Sequence, residues 1–206
     1  MNTHLIIKRI FDLISGLVGL IIFAILFLII AIITKITSKG PVFFKQTRLG
    51  RNCKLFLLYK FRTMTELRDE TGNLLPDEER LTKIGNFLRR FKLDELPEFW
   101  NVLKGEMSLV GPRPTIPKQI QYYNNFQNRR LLKSPGMTGW AQINGNTILN
   151  WDKRIILDVW YVDHCSLLLD LYIMIRTLSV ILFGEHPNER ALEEAIEYAN
   201  YTYRSC

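Results

Sequence analysis

Between Leu13 and Thr34 the chain runs for 22 residues without a charged side chain. As a helix rising about 1.5 Å per residue, that stretch is roughly 33 Å long, against a bilayer hydrocarbon core of about 30 Å. The segment therefore reads as membrane-inserted. It is too long for the apolar part of a signal peptide, and Ile32-Ile33-Thr34-Lys35 offers no small-x-small cleavage site. Lys8 and Arg9 precede it, and Lys35, Lys39, Lys45 and Arg48 follow it. Basic flanks favour the cytoplasmic side, so both ends pull the same way, and a helix that enters and turns back would satisfy both. A turn at that depth must have its freed backbone groups satisfied, and Leu20–Ile25 contains neither Pro nor Ser to help. On that ground one continuous helix that spans is favoured over a re-entrant path.

Gly40-Pro41 marks the clearest boundary, dividing an N-terminal segment (1–39) from a folded domain (40–184) and a Glu-rich helical tail (185–206). With 48% hydrophobic and 23% charged residues, a disordered or collagen-like chain is excluded. Lys and Arg outnumber Asp and Glu by 27 to 20, which points to an anionic partner: phosphate, lipid head group or nucleic acid. The three cysteines include no CxxC pair, so neither a disulfide framework nor a zinc site is indicated. That usage suits the reducing cytosol.

Val42-Phe43-Phe44 is a short strand candidate and 54–64 a longer one, with period two placing Lys60 and Arg62 on one face. Residues 66–80 read as a polar surface excursion. Ile84, Phe87, Leu88 and Phe91 follow helical spacing as a core stripe, and Leu96, Phe99, Trp100 and Leu103 repeat it. The second helix would end at Gly105, a C′ glycine, and would start with Asp94 at its N-cap and Glu95 at its first position. Gly111-Pro112-Arg113-Pro114 is a stiff non-helical corner, and 135–145 a glycine-punctuated loop-strand-turn. Leu167–Phe183 is too interrupted to span and reads as an interfacial or core helix.

Capping alone accounts for most adjacent carboxylates at a helix start. Asp94-Glu95 stand out through their company, because Lys60, Arg62, Arg89, Arg90 and Arg113 all lie on ordered segments. Such cations at a helix terminus make an anion site. Carboxylates inside it repel the same anion, so they imply either a bridging divalent metal or a nucleophile that attacks phosphorus. The plainer readings are a solvated helix face for Arg89-Arg90, an exposed strand face for Lys60 and Arg62, and core positions for Trp100 and Trp140.

Four segments read together, YKFRTM (59–64), LDELPEFWNVLKGEMSLVGPRP (93–114), PGMTGWAQING (135–145) and LDVWYV (157–162), resemble the bacterial sugar transferases. These are the monotopic phosphoglycosyl transferases, and the chain resembles their minimal single-domain members. The resemblance runs from Ile10-Phe11-Asp12 to about Phe183. It implies a small, irregular, membrane-associated α/β domain with an N-terminal re-entrant or spanning hydrophobic helix and interfacial amphipathic helices. It also implies transfer of a sugar-1-phosphate from a UDP-sugar to polyprenol (undecaprenyl) phosphate with release of UMP. In that reaction Asp94 would be the nucleophile and Glu95 its partner, both beside Mg²⁺ as metal ligands. Arg113 would hold phosphate, with Lys60, Arg62 and Arg89 as further phosphate-binding candidates. Asp158 matches another family carboxylate. The implied setting is the bacterial inner membrane with the catalytic domain on its cytoplasmic face, membrane lipids and downstream glycosyltransferases as partners, and no nucleic acid. Two positions depart from the family pattern: Ala24-Ile25 stand where a Ser-Pro pair breaks the helix, and Asn146 stands where an arginine follows Asn-Gly. The rival reading is a non-catalytic basic scaffold that binds anionic lipid, which has no use for Asp94-Glu95 beside Gly-Pro-Arg-Pro.

Overall fold

The apolar segment is not one helix. In the computed structural model, which describes residues 3–38 and 40–204 and so leaves Lys39 outside, α1 (Thr3–Ile22) and α2 (Ala24–Thr37) meet at Phe23 with a bend of 60°. Among the described residues no single helix is long and apolar enough to cross a membrane. This corrects the expectation of a continuous helix, and the cause is tertiary. Phe23 leaves helical geometry (φ −90°, ψ 5°), and its ring stacks on that of Phe99 at 6.1 Å. Phe99 in turn lies against Gly19, where a Cβ would come within 2.7 Å of the ring. An aromatic wedge and the glycine that makes room for it replace the missing Ser-Pro.

Both arms of the bent pair are fixed to the same body. Arg9 on α1 donates to the carbonyls of Val102 and Leu103 (2.7 and 2.8 Å), and Lys8 pairs with buried Asp170 at 2.5 Å. Asp12, 4% exposed, accepts from Ser108 Oγ and Leu109 N–H, each at 3.0 Å. On α2, Ile30 packs into a cluster with Phe61, Leu88 and Leu96. The upstream basic flank is thus engaged with protein groups.

The rest is mixed α/β, mostly helical, with two small sheets. β1 (Phe43–Leu49) runs antiparallel to β2 (Leu55–Phe61), pairing Phe43 with Phe61 and Leu49 with Leu55. The first strand is longer than Val42–Phe44 suggests because every one of its residues finds a ladder partner. A short α3 (Asp77–Arg80) leads to α4 (Lys83–Arg90), whose first turn is capped by Thr82 accepting from Gly85 N–H at 2.8 Å. The expected core stripe of α4 is only partly buried. Leu88 is inside, while Phe87 is 53% exposed and packs on Phe91.

After α5 (Glu98–Lys104), closed by Gly105 in the left-handed region (φ 79°), comes β3 (Ser108–Val110), which pairs in parallel with β4 (Gly136–Thr138). Between them lies α6 (Asn125–Asn128), and after β4 follow α7 (Trp140–Ile143), α8 (Trp151–His164), α9 (Leu167–Phe183) and α10 (Glu189–Arg204). The stretch expected to run loop-strand-turn therefore holds a short helix as well. The main core joins Val102, Met107, Val110, Leu157, Tyr161 and Ile173. α10 packs on α8 and buries Ala191, Ala195 and Ala199, whose i, i+4 spacing makes one small-residue stripe.

Apolar residues also face outward in rows. Leu168, Leu171, Ile175, Leu178 and Leu182 lie exposed along α9, as do Ile14, Leu17, Ile21, Ile25 and Leu28 along the bent pair. Trp100, read from sequence as core, is half exposed. A continuous apolar surface of this kind marks an interaction face and not a water-facing one.

Asp12 is the link whose loss is most readable. Asp12→Ala leaves Leu109 N–H buried without its acceptor, a cost of about 1–3 kcal/mol. The thermal midpoint in detergent is expected to fall by about 2–4 °C per kcal/mol for a chain of this size. A fall below 1 °C would show that α1 is held mainly by other contacts.

Candidate active site

β2, the turn before α5 and the Gly-Pro-Arg-Pro corner converge on one cleft of about 690 Å³. Period two along β2 carries Lys60 to it, and Arg62 follows just past the strand end. The Leu93–Glu95 stretch is a separate 3-10 turn, entered through Lys92 in the left-handed region (φ 56°). The helix itself begins at Glu98, with Pro97 as its N-cap. This corrects the placing of Asp94 at a helix N-cap: the turn that holds it ends at Glu95, and the helix starts three residues later. Asp94 therefore owes its surroundings to neighbouring side chains and not to a helix terminus. Lys60, Arg62, Arg89, Asp94, Glu95 and Arg113 all line the cleft, so every predicted catalytic and phosphate-binding residue is brought together.

Glu95 is the fixed anion. Its Oε1 accepts from Lys60 Nζ at 2.5 Å and from Arg113 Nη2 at 3.0 Å. Burial opposes its charge, but Arg113 and Lys60 outweigh that and hold its carboxyl down at about 2. Asp94 is treated differently. It is 8% exposed, and its own backbone N–H donates to the carboxylate, while no other side chain is bonded to it among the described residues. Burial and the charge of Glu95 push its pKa up, only partly offset by Lys60 and Arg89. Arg89 donates from Nε to Thr63 Oγ1 at 3.0 Å, and Arg62 pairs with Glu66.

Sequence reasoning passed over four further residues in or beside the cleft. Glu98, one helical turn after Glu95, lies 3.3 Å from the same Lys60 Nζ, and burial with the charge of Glu95 pushes it up to about 8. The LDELPE spacing could have revealed it, since i and i+3 share a helical face. Arg48 on β1 also lines the cleft and donates to the Pro114 carbonyl at 2.9 Å, bracing the corner. Lys92 pairs with Glu185 at 3.1 Å, and Glu185 also accepts from Asn146 Nδ2 and Thr147. No local signal in the sequence joins 92 to 185.

Asp158 lies outside the cleft. It is 1% exposed and bound to Arg130 at 2.5 Å, and Arg130 also donates to the Arg113 carbonyl at 3.0 Å. Its carboxylate reaches the site only through that chain, as a support for the backbone at Arg113. Burial pushes it up to about 6 against the pull of Arg130.

Among the described residues no cluster of three or more His, Cys, Asp or Glu is placed to hold a metal by itself. Asp94 and Oε2 of Glu95, which neither Lys60 nor Arg113 engages, nonetheless fit the way Mg²⁺ binds, through one or two carboxylates completed by substrate phosphates and water.

Comparison with known proteins follows the same lines. The uncharacterized sugar transferase EpsL of Bacillus subtilis is 49% identical over 181 residues, covering 88% of this chain and 90% of that protein. The UDP-glucose:undecaprenyl-phosphate glucose-1-phosphate transferase of Klebsiella pneumoniae is 40% identical over 185 residues, covering 85% of this chain but 40% of its own length. The UDP-N-acetylgalactosamine-undecaprenyl-phosphate N-acetylgalactosaminephosphotransferase of Aeromonas hydrophila is 38% identical, with 86% of this chain and 44% of that protein covered. The chain thus spans most of the first relative and less than half of the other two. The profile of the bacterial sugar transferases matches residues 3–184, and the chain is a transferase belonging to that family.

Proposed function

We propose that the protein moves a sugar-1-phosphate from a UDP-sugar to polyprenol phosphate in two steps through Asp94. In the first, a carboxylate oxygen of Asp94 bonds to the β-phosphorus, and the bond from that phosphorus to the oxygen bridging the two phosphates breaks. UMP leaves with the bridging oxygen and its electron pair. In the second, a phosphate oxygen of the lipid bonds to the same phosphorus, the Asp94–phosphorus bond breaks, and the carboxylate is regenerated. The product is a polyprenol diphosphate sugar.

The observation that carries this reading is the Asp94 carboxylate, tied up by no other side chain, inside a wall of cations. A lipid-binding scaffold has no use for a carboxylate placed among the cations that would hold its anion. Arg113, Lys60, Arg62 and Arg89 would take the diphosphate charge, with Arg113 acting through its bidentate fork. Glu95 holds Lys60 and Arg113 in place. Mg²⁺ held by Asp94, the outer oxygen of Glu95 and the substrate phosphates would neutralise charge that develops on the leaving UMP. The named activities of the Klebsiella and Aeromonas relatives support the same donor and acceptor classes.

The lipid acceptor suits a setting at the cytoplasmic face of the bacterial inner membrane, with the outward apolar rows of α1, α2 and α9 in the leaflet. Both arms of the bent pair are tied to one folded body, which supports a pair that enters the leaflet and returns. A cysteine placed at position 4 should resist an impermeant reagent added outside intact cells. Efficient labelling there would mean a true span.

Without lipid, the correct UDP-sugar should release at most one UMP per enzyme and add a sugar-phosphate mass to the peptide containing Asp94. Asp94→Asn should abolish both. Because the reactive form is the carboxylate and its pKa is raised, the rate of this burst should rise with pH through a midpoint above the ordinary value of 3.8. Intersecting two-substrate kinetics with no trapped adduct would instead indicate direct attack by the lipid phosphate.

Arg113→Lys retains charge but loses the fork. Turnover is expected to fall at least tenfold, about 1.4 kcal/mol of transition-state stabilisation. Parent-like turnover in that variant would remove Arg113 from the phosphate site.

A further inference from the structure

A second opening adjoins the cleft. A groove of about 400 Å³ runs between the helix break at Phe23, α5 and α9, with apolar walls that include Phe23, Leu96, Phe99, Met174, Val180 and Ile181. At its inner end Lys92, Glu95 and Arg113 line both openings, so the groove stops at the wall that also bounds the cleft of Asp94. Gln142 of α7 lines this groove too. It is 8% exposed, and neither its Oε1 nor its Nε2 has a hydrogen-bond partner among the described residues. A buried amide left open in this way is costly unless a ligand completes it. The carbonyl end is turned to the backbone of Gly139, where a Cβ would come within 2.6 Å of Oε1 and 2.1 Å of the Gly111 carbonyl oxygen. The Nε2 donor is the end left for a ligand.

We propose that this groove binds the lipid acceptor, with its first hydrocarbon units between Phe23 and α9 and Gln142 Nε2 donating to its phosphate. The proposal rests on the reaction given above and adds where the acceptor sits. The apolar walls match a hydrocarbon. The inner end offers N–H donors suited to an anion: Gln142 Nε2, Lys92 and the Arg113 guanidinium, of which only Nη2 is engaged by Glu95. Phe23, at the break of the bent pair, lines the groove, and the outward residues of that pair are apolar, which suits a chain that arrives from a leaflet.

The test uses the full chain in mixed micelles with undecaprenyl phosphate and the UDP-sugar that gives UMP release. In Gln142→Leu, and separately in Val180→Trp, which fills the groove, the KM for undecaprenyl phosphate should rise at least tenfold. Lipid-dependent turnover should fall at least tenfold more than the UMP burst measured without lipid. Equal losses in both steps, or an unaltered lipid KM in Gln142→Leu, would overturn the assignment. A second readout needs no turnover and no variant. Undecaprenyl phosphate carrying a diazirine on its first isoprene should crosslink the parent protein at Phe23, Met174 or Val180. Crosslinks confined to the outward residues Leu168, Ile175 and Leu182 would overturn the groove, whereas absence of UMP release from every UDP-sugar would count against the reaction alone.

Discussion

Three stretches of chain far apart in sequence meet on one oxygen atom, Oε1 of Glu95. Lys60 arrives from β2 and Arg113 from the proline-braced corner, and both bind that oxygen. The consequences spread outward as charge. With Glu95 held ionised, its field lifts Glu98 and Asp94, while Arg113 is pushed further toward its charged form. A buried pair of this kind adds little to stability when intact, but it is expensive to break, because the remaining charge stays buried. Loss of Glu95 would leave Arg113 without its ion-pair partner and Lys60 with Glu98 alone. The residue therefore organises the cleft even if it never touches substrate.

A second layer carries that organisation into the core. Asp158 fixes Arg130, and Arg130 holds the Arg113 carbonyl from beneath. Arg48 braces the neighbouring Pro114 carbonyl from β1. The two prolines limit the backbone locally, and these two arginines set where the limited backbone sits. Preorganisation of this sort means that little reordering remains when a phosphate binds.

Much of the cleft was legible in sequence, because chemistry is written in residue type. Cations beside adjacent carboxylates, on segments of readable period, named Lys60, Arg62, Arg89, Asp94, Glu95 and Arg113 before any coordinates. What escaped was long-range or inverted. Lys92 and Glu185 meet only through the fold, and the helix starts at Glu98, past Asp94. Phe87 and Trp100 sat on apolar stripes that read as core, yet both are exposed. The rule that such stripes face inward presupposes water on the other side. Where the surface itself is apolar, as along α9, periodicity gives the helix but not the direction of its face.

The bend at Phe23 has a consequence for how this protein is made. Nothing within the apolar segment requires it: the wedge is Phe99, and the neighbouring anchors are Val102, Leu103, Ser108 and Leu109. A nascent chain that has not yet reached those residues carries an apolar segment with no partner to bend it. The angle can form only when the later core folds against α1 and α2. Bending of the segment and folding of the core are then a single coupled event, and a nascent chain that stops short of Phe99 lacks the wedge.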